Sequence, residues 1–497
     1  MGSEPPRPIF NPSSTVPFWL DGKEKTTNKT FNVISPHTGE IIWKSSAADS
    51  DDVTAAISSS KKAFQTWRWS KPRQRREIFL RAHEILKERK AQSFAYSHTE
   101  TGAPEEMFGL EYGVAMDICV QLAGLAGGGN AGTMVEPDAE GVGAMVIKEP
   151  YGVVLAIAPW NAPFILGLRA CLFPIAAGNT VILKGPELAP ATYWYFTSVL
   201  HEAGLPVGVL NTIYHDPNDA SVVTNQLIAD RAVRKVKFTG SDAVGAIIAE
   251  VCGRHLKPHV MELGGKGAIV ICDDADLQKA AFMCLLGAFF HAGQVCMSTE
   301  RIIVAESVLS QFKVHLAAAY EQNFGAAKDP CIFVSEKMAS KPRSLVQDAV
   351  SKGATLLHGD LSFNDNTTTT NNKMRPVVLE GVTPDMEIYH KESFGPTVSL
   401  FSVTSDEAAV AMVNSSDYGL SAAVFTSNLE RGMWMARRIE AGAVHVNGLT
   451  VHDEANLPMG GTKRSGFGRL NGELGLSEWV QHKTITWKES DAAFPRS

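Results

Sequence analysis

The chain has 497 residues, a formal net charge of −7, and 44% hydrophobic against 20% charged residues. That length exceeds what one hydrophobic core serves, so two or three domains are expected. The mild negative charge argues against a polyanion surface and hence against a nucleic-acid partner, and the longest apolar run, Ala280 to Phe290, is far short of a membrane span.

Met1 to Phe18 is proline-rich and lacks the charged start and apolar centre of a signal peptide, so a cytoplasmic location is expected. Asp51 to Trp67 then places Val53, Ala56, Ile57, Ser60, Ala63, Phe64 and Trp67 at helical spacing, with Ser50 as cap. A second helix follows Pro72, with Ile78, Ala82, Ile85 and Leu86 on one face. From residue 153 short apolar runs alternate with helical stretches. Val153 to Ala158, Thr180 to Leu183, Val209 to Ile213 and Val233 to Phe238 read as strands, with helices at about 163–177 and 190–203. A second block of the same texture starts at Gly267 to Ile271, continues through a helix near 275–291, and recurs toward residue 447.

The alternation predicts an α/β protein with two doubly wound domains. The boundaries expected are 1–130 with 151–262 for one domain and 263–475 for the other. Gly132 to Val146 and Val480 to Lys488 have strand texture but belong to neither sheet. They are assigned, as 131–150 and 476–497, to a small β arm that needs a partner. Asn364 to Asn372, with four consecutive threonines, reads as a surface loop.

The seven cysteines are 119, 171, 252, 272, 284, 296 and 331, with no CxxC pair, so no metal centre is expected and most of them read as small buried hydrophobes. Cys296 differs. It follows a Gly293-Gln294 turn past the end of a helix. Glu262 ends an apolar run in Met261-Glu262-Leu263-Gly264-Gly265-Lys266, where the plain structural reading is a carboxylate paired with Lys266. A thiol nucleophile with a separate base for water is what two-step covalent oxidation of an aldehyde requires. No GxGxxG follows a strand, but Phe238-Thr239-Gly240-Ser241-Asp242-Ala243-Val244-Gly245 is a strand leading into a glycine-started helix, whose amides suit a pyrophosphate. Lys184 ends a strand and Glu187 follows, where open α/β sheets bind ligands.

These motifs, with Ala158-Pro159-Trp160-Asn161 and Glu392-Ser393-Phe394-Gly395-Pro396, resemble the NAD(P)-dependent aldehyde dehydrogenase superfamily from roughly residue 30 to residue 490. The resemblance implies Cys296 as nucleophile, Asn161 with the Cys296 amide as oxyanion donors, and Glu262 as the base that hydrolyses the thioester to a free acid. It places Ala158, Pro159, Trp160, Leu263, Gly240, Ser241 and Gly245 on the cofactor side. Lys184 and Glu187 go to the adenine ribose, and Glu392 and Phe394 to the nicotinamide end. A glutamate near the ribose favours NAD, with NADP as the other possibility, although relatives carry proline directly after the lysine where this chain has Gly185. The arm implies a homodimer or homotetramer.

Substrate texture is nearest the benzaldehyde, salicylaldehyde and vanillin dehydrogenases. Ala162 leaves room for a flat ring, and Arg169 lies two helical turns beyond Asn161. Met459 stands where relatives carry bulkier or polar residues. An aromatic aldehyde is expected, with Ala162, Ile165 and Leu166 as an apolar wall and the Arg169 fork at its far end meeting a phenolate, hydroxyl or carboxylate on the ring; a semialdehyde bearing a distal carboxylate is the other choice. His291, five residues before Cys296, raises a different class, a Cys–His hydrolase, which would leave the nucleotide motifs unused.

Overall fold

The computed structural model describes residues 8–127, 131–361 and 371–488. Most of the loop expected at 364–372 lies outside the described residues, as do the ends of the chain. Two large sheets carry the fold. The first runs Gly466–Phe467, His259–Glu262, Val233–Thr239, Val153–Ile157, Thr180–Lys184, Leu210–Ile213, Phe18–Leu20 and Lys23–Lys25, with its central strands parallel. The second has seven strands, with Gly267–Ile271 flanked in parallel by Thr299–Ala305 and Ser421–Phe425.

In each sheet the chain order reverses beside the earliest of its parallel strands. In the first, Thr180–Lys184 lies on one side of Val153–Ile157 and Val233–Thr239 on the other. Such a reversal opens a crevice beyond the carboxyl ends of the strands. Ala158–Asn161 and Thr239–Ser241 are the residues that leave those two strands, so the topology brings them together.

The chain returns late to the first sheet. Gly466–Phe467 pairs antiparallel with His259–Glu262, and Ala455, Met459, Leu470 and Leu476 belong to the first core rather than to the second. Ala455, Met459 and Leu470, expected in the second domain, thus pack with the apolar residues around the first sheet.

Two further differences have local causes. The helix Ser50–Trp67 is capped by Asp49, not Ser50; Asp49 accepts from the amides of Asp51 and Asp52, and Asp52 reaches back in a capping box. The single strand expected over 132–146 is two, Thr133–Val135 and Val142–Pro150, because Pro137-Asp138 and Gly141 (φ 68°) turn the chain between them. Val480–Lys488 completes this third sheet, paired antiparallel from Val480 opposite Pro150 to Lys488 opposite Val142.

One helix among the described residues, Glu105–Leu125, is long and apolar enough to cross a membrane, which a search for unbroken apolar runs overlooks because charges interrupt it. Half of its apolar window is buried, against Pro72–Glu88 and Pro163–Ala176. Its Glu111 side chain accepts a hydrogen bond from Phe164 N at 3.1 Å, at the start of the helix that follows Asn161.

Candidate active site

The helix Leu277–Phe289 ends at Phe290, and the next three residues are left-handed: His291, Ala292 and Gly293 have φ of 50°, 59° and 69°. This tight reversal points Cys296 back toward the first sheet. A Cβ on Gly293 would lie 2.1 Å from the Gly395 carbonyl oxygen, so only glycine fits. Gln294 is fully buried and locks the turn: Nε2 donates to the carbonyls of His291 (3.1 Å) and Ile332 (3.3 Å), and Oε1 accepts from Val334 N (3.1 Å). The Gln294 carbonyl accepts from Asn161 Nδ2 at 3.0 Å. One amide proton of Asn161 is thereby fixed, and the other remains for a group in the cavity that Asn161 and Cys296 both line.

Glu262 ends its strand in parallel register with Thr239. It is 1% exposed, and Oε2 accepts from Thr239 Oγ1 at 3.3 Å while Oε1 has no partner. The expected structural alternative, pairing with Lys266, does not form. Lys266 is tied instead to Glu300, itself buried, and Glu300 accepts from the amides of Ser393 (2.7 Å) and Phe394 (3.3 Å). Glu262 is left free because Lys266 serves the loop opposite.

Asn161, Glu262 and Cys296 line one cavity with Pro159, Trp160, Gly240, Ser241, Leu263, Glu392 and Phe394. Burial pushes the Cys296 thiol well above its usual pKa; Glu262, Glu392 and Asp453 push the same way, and Arg169 opposes them. Burial, then the Glu300 charge, raises Glu392 to about 7, although Gly265 N donates to its Oε1 at 2.8 Å. Phe394 (φ 54°) and Trp160 meet edge to face at 6.3 Å.

On the dinucleotide side, Ser241 caps the helix Asp242–Arg254 by accepting from Val244 N. A Cβ on Gly245 would come 2.6 Å from Leu263, so this glycine lets the helix close on the cavity wall. Lys184 ends its strand, with burial lowering its pKa to about 8 against the charge of Glu187. Lys184, Glu187, Gly245 and Ala158 do not line the cavity that holds the thiol. The glycine turn and the cavity's apolar walls fit a dinucleotide, and Glu392 and Phe394 line the same cavity as Cys296.

Arg169 is neither a surface charge nor an open one. It is fully buried, with its guanidinium on the Asp453 carboxylate and Nη1 3.6 Å from Met459 Sδ. Asp453 is held in turn by Asn471 Nδ2 at 2.7 Å. Of the apolar wall expected on this helix face, Leu166 lines the cavity; Ala162, just before the helix, and Ile165 do not.

His291 is buried with Nε2 unpaired, and burial lowers its pKa to about 4 while the Asn161 backbone opposes. Among the described residues no hydrogen bond joins it to Cys296, so the hydrolase dyad is not assembled. Thr239, Asp453 and Glu300 take part in the site without having been singled out. Thr239 closing the strand before Gly240, two positions after Lys237, was the available sign for it; the long-range partners left none. No metal-ligand cluster occurs among the described residues.

The aldehyde dehydrogenase family model matches residues 22–485, and the chain belongs to that family. A vanillin dehydrogenase from Pseudomonas fluorescens is 39% identical, with 97% of this chain and 99% of that protein covered. A salicylaldehyde dehydrogenase from Pseudomonas putida G7, crystallised with salicylaldehyde, superposes with a TM-score of 0.91 at 31% identity, covering 97% and 100%. A betaine aldehyde dehydrogenase from Staphylococcus aureus in complex with NAD+ does so with a TM-score of 0.91 at 27% identity, covering 97% and 96%.

Proposed function

We propose that the chain oxidises an aromatic aldehyde to the carboxylic acid with NAD, through a thiohemiacetal and then a thioester on Cys296. The observation that carries this reading is the single cavity in which the thiol, Asn161, Glu262 and the dinucleotide residues Gly240, Ser241, Glu392 and Phe394 meet. The Cys296 thiol gives up its proton to solvent water, Sγ bonds to the aldehyde carbon as the carbonyl electron pair moves to oxygen, and the oxyanion takes hydrogen bonds from Asn161 Nδ2 and the Cys296 amide. The cofactor, when bound, supplies the acceptor for the hydride that leaves this carbon. Glu262 Oε1 then draws a proton from water, the water oxygen bonds to the acyl carbon, and the C–S bond breaks. The first sheet serves as the dinucleotide unit and the second presents the thiol.

The substrates named for the similar enzymes support an aromatic substrate, whereas Arg169, paired with Asp453, is not free to meet a substituent on it as the sequence suggested. Support for NAD comes from Glu187 beside Lys184, a carboxylate that repels a 2′-phosphate.

Glu262→Gln distinguishes hydrolysis from acyl transfer to another acceptor. It should give one equivalent of reduced cofactor per site and then near-arrest, with wild-type burst. Steady turnover at the wild-type rate would remove Glu262 from the role. Initial rates should rank benzaldehyde and its hydroxylated derivatives above aliphatic and carboxylated aldehydes; the reverse ranking would favour the semialdehyde. Glu187→Gln should narrow the ratio of kcat/KM for NAD over NADP, and an unmoved ratio would mean that Glu187 does not face the ribose.

A further inference from the structure

The strand Val233–Thr239 carries two lysines with different surroundings. Lys235 reaches Glu478 and lies over the rings of Tyr151 and Trp479. Lys237 is fully buried, and its hydrogen bond is to a neutral group: Nζ donates to Thr239 Oγ1 at 3.0 Å. Removing an ammonium from water without a carboxylate against it is costly. The carboxylate whose charge reaches Lys237 is Glu262; from the helix Pro163–Ala176, Arg169 acts in the opposite sense and the Cys171 thiol is adjacent.

The geometry follows from strand pairing. Residues two apart share a strand face, so Lys237 and Thr239 project together, and parallel register sets Thr239 opposite Glu262. A hydroxyl has one proton and two lone pairs. With Lys237 donating to a lone pair, the hydroxyl proton is directed to Glu262 Oε2, 3.3 Å away, and Oε1 stays unpartnered.

We propose that Lys237 is a positioning residue for thioester hydrolysis: through the Thr239 hydroxyl it orients the Glu262 side chain, with Oε2 tethered and Oε1 free for water. This rests on the reading of Glu262 as the base. In the step it serves, Oε1 takes one proton of water as the water oxygen bonds to the acyl carbon. The C–S electron pair returns to Sγ and the carboxylic acid leaves. Arg169 does not take over this function, because its charge is matched by Asp453. Burial brings Lys237 down to about 8, with Glu262 opposing, so the ammonium predominates at neutral pH.

The test uses the full chain with saturating NAD and benzaldehyde, following formation and decay of the acyl-enzyme by rapid quench and mass spectrometry. Lys237→Met and Thr239→Val should each slow hydrolysis by about tenfold or more, since a small misplacement of a catalytic group can cost up to ~10²-fold, while acyl-enzyme formation falls much less. The double variant should slow hydrolysis no further than either single change, because both break one link. An unchanged hydrolysis rate in Thr239→Val overturns the proposal, as does equal loss of formation and hydrolysis; the valine variant carries the test alone if Lys237→Met does not fold. Glu262→Gln separates the two levels. If it hydrolyses at the wild-type rate, the base itself is misassigned; if it stops and hydrolysis is unchanged in the other variants, the failure is that of Lys237.

Discussion

Arg169 and Asp453 are 284 positions apart and form an ion pair with side chains 0% and 4% exposed. Desolvating both charges offsets most of their attraction, so the pair as a whole adds little, whereas removing one partner strands the other. Arg169→Met should therefore cost about 3–5 kcal/mol of unfolding free energy in urea, and Arg169→Met with Asp453→Asn much less than the sum of the two single changes. Asparagine at 453 keeps an acceptor for Asn471, which donates to Oδ1 at 2.7 Å. Additive losses would show that the charges do not sense each other. Sequence placed Arg169 on the helix that follows Asn161, but a buried arginine and a surface arginine share the same local spacing. Only the partner, far along the chain, tells them apart.

Elements position the site through their ends. The helix Pro163–Ala176 begins two residues after Asn161 without a side-chain cap of its own, and Glu111 from a neighbouring helix accepts from the Phe164 amide there. Burial raises Glu111 to about 8 from an ordinary 4.5, with the amides of Phe164 and Ile165 and the Ser97 hydroxyl opposing. A folded pKa above the unfolded one means that the folded state binds the proton more tightly. The stability this contributes is whole below about pH 4.5 and is lost as pH rises through about 8. Thermal unfolding of the wild type should thus fall relative to Glu111→Gln over that window. Equal pH dependence in both proteins would mean that the carboxyl does not titrate with folding. The elements themselves were legible where periodicity was strong: the four strands from 153 to 238 and the helix beginning near Asp51. The hairpin Phe18–Leu20 with Lys23–Lys25 was missed, although Asp21-Gly22 between them, both at positive φ, is a two-residue turn of the favoured kind.

At the scale of the whole molecule, the motif order exposed the family because Cys296, Glu262 and Asn161 each sit in a short local pattern. How the chain's last stretch divides between layers was hidden, since Ala455, Met459 and Leu470 are ordinary apolar residues whose destination depends on the other core. The third sheet leaves an unresolved need. Val480–Lys488 pairs along one side only, and among the described residues its outer edge has no strand beside it. Met134 (70%), Val135 (47%), Ile485 (37%) and Trp487 (39%) are exposed on the same small sheet. A long edge strand with unpaired amides and apolar side chains pairs with another chain unless charge or a bulge prevents it, and a three-stranded sheet standing off the body is poorly stabilised alone. We therefore expect a homo-oligomer assembled through this arm. Light scattering should give a mass of two or four chains for the wild type. Ile485→Lys with Trp487→Lys, which adds charge to the edge without touching either large sheet, should lower the mass while the cofactor still binds. A monomeric wild type would leave the arm without its proposed partner, and an unchanged mass in the variant would put the contact on another surface.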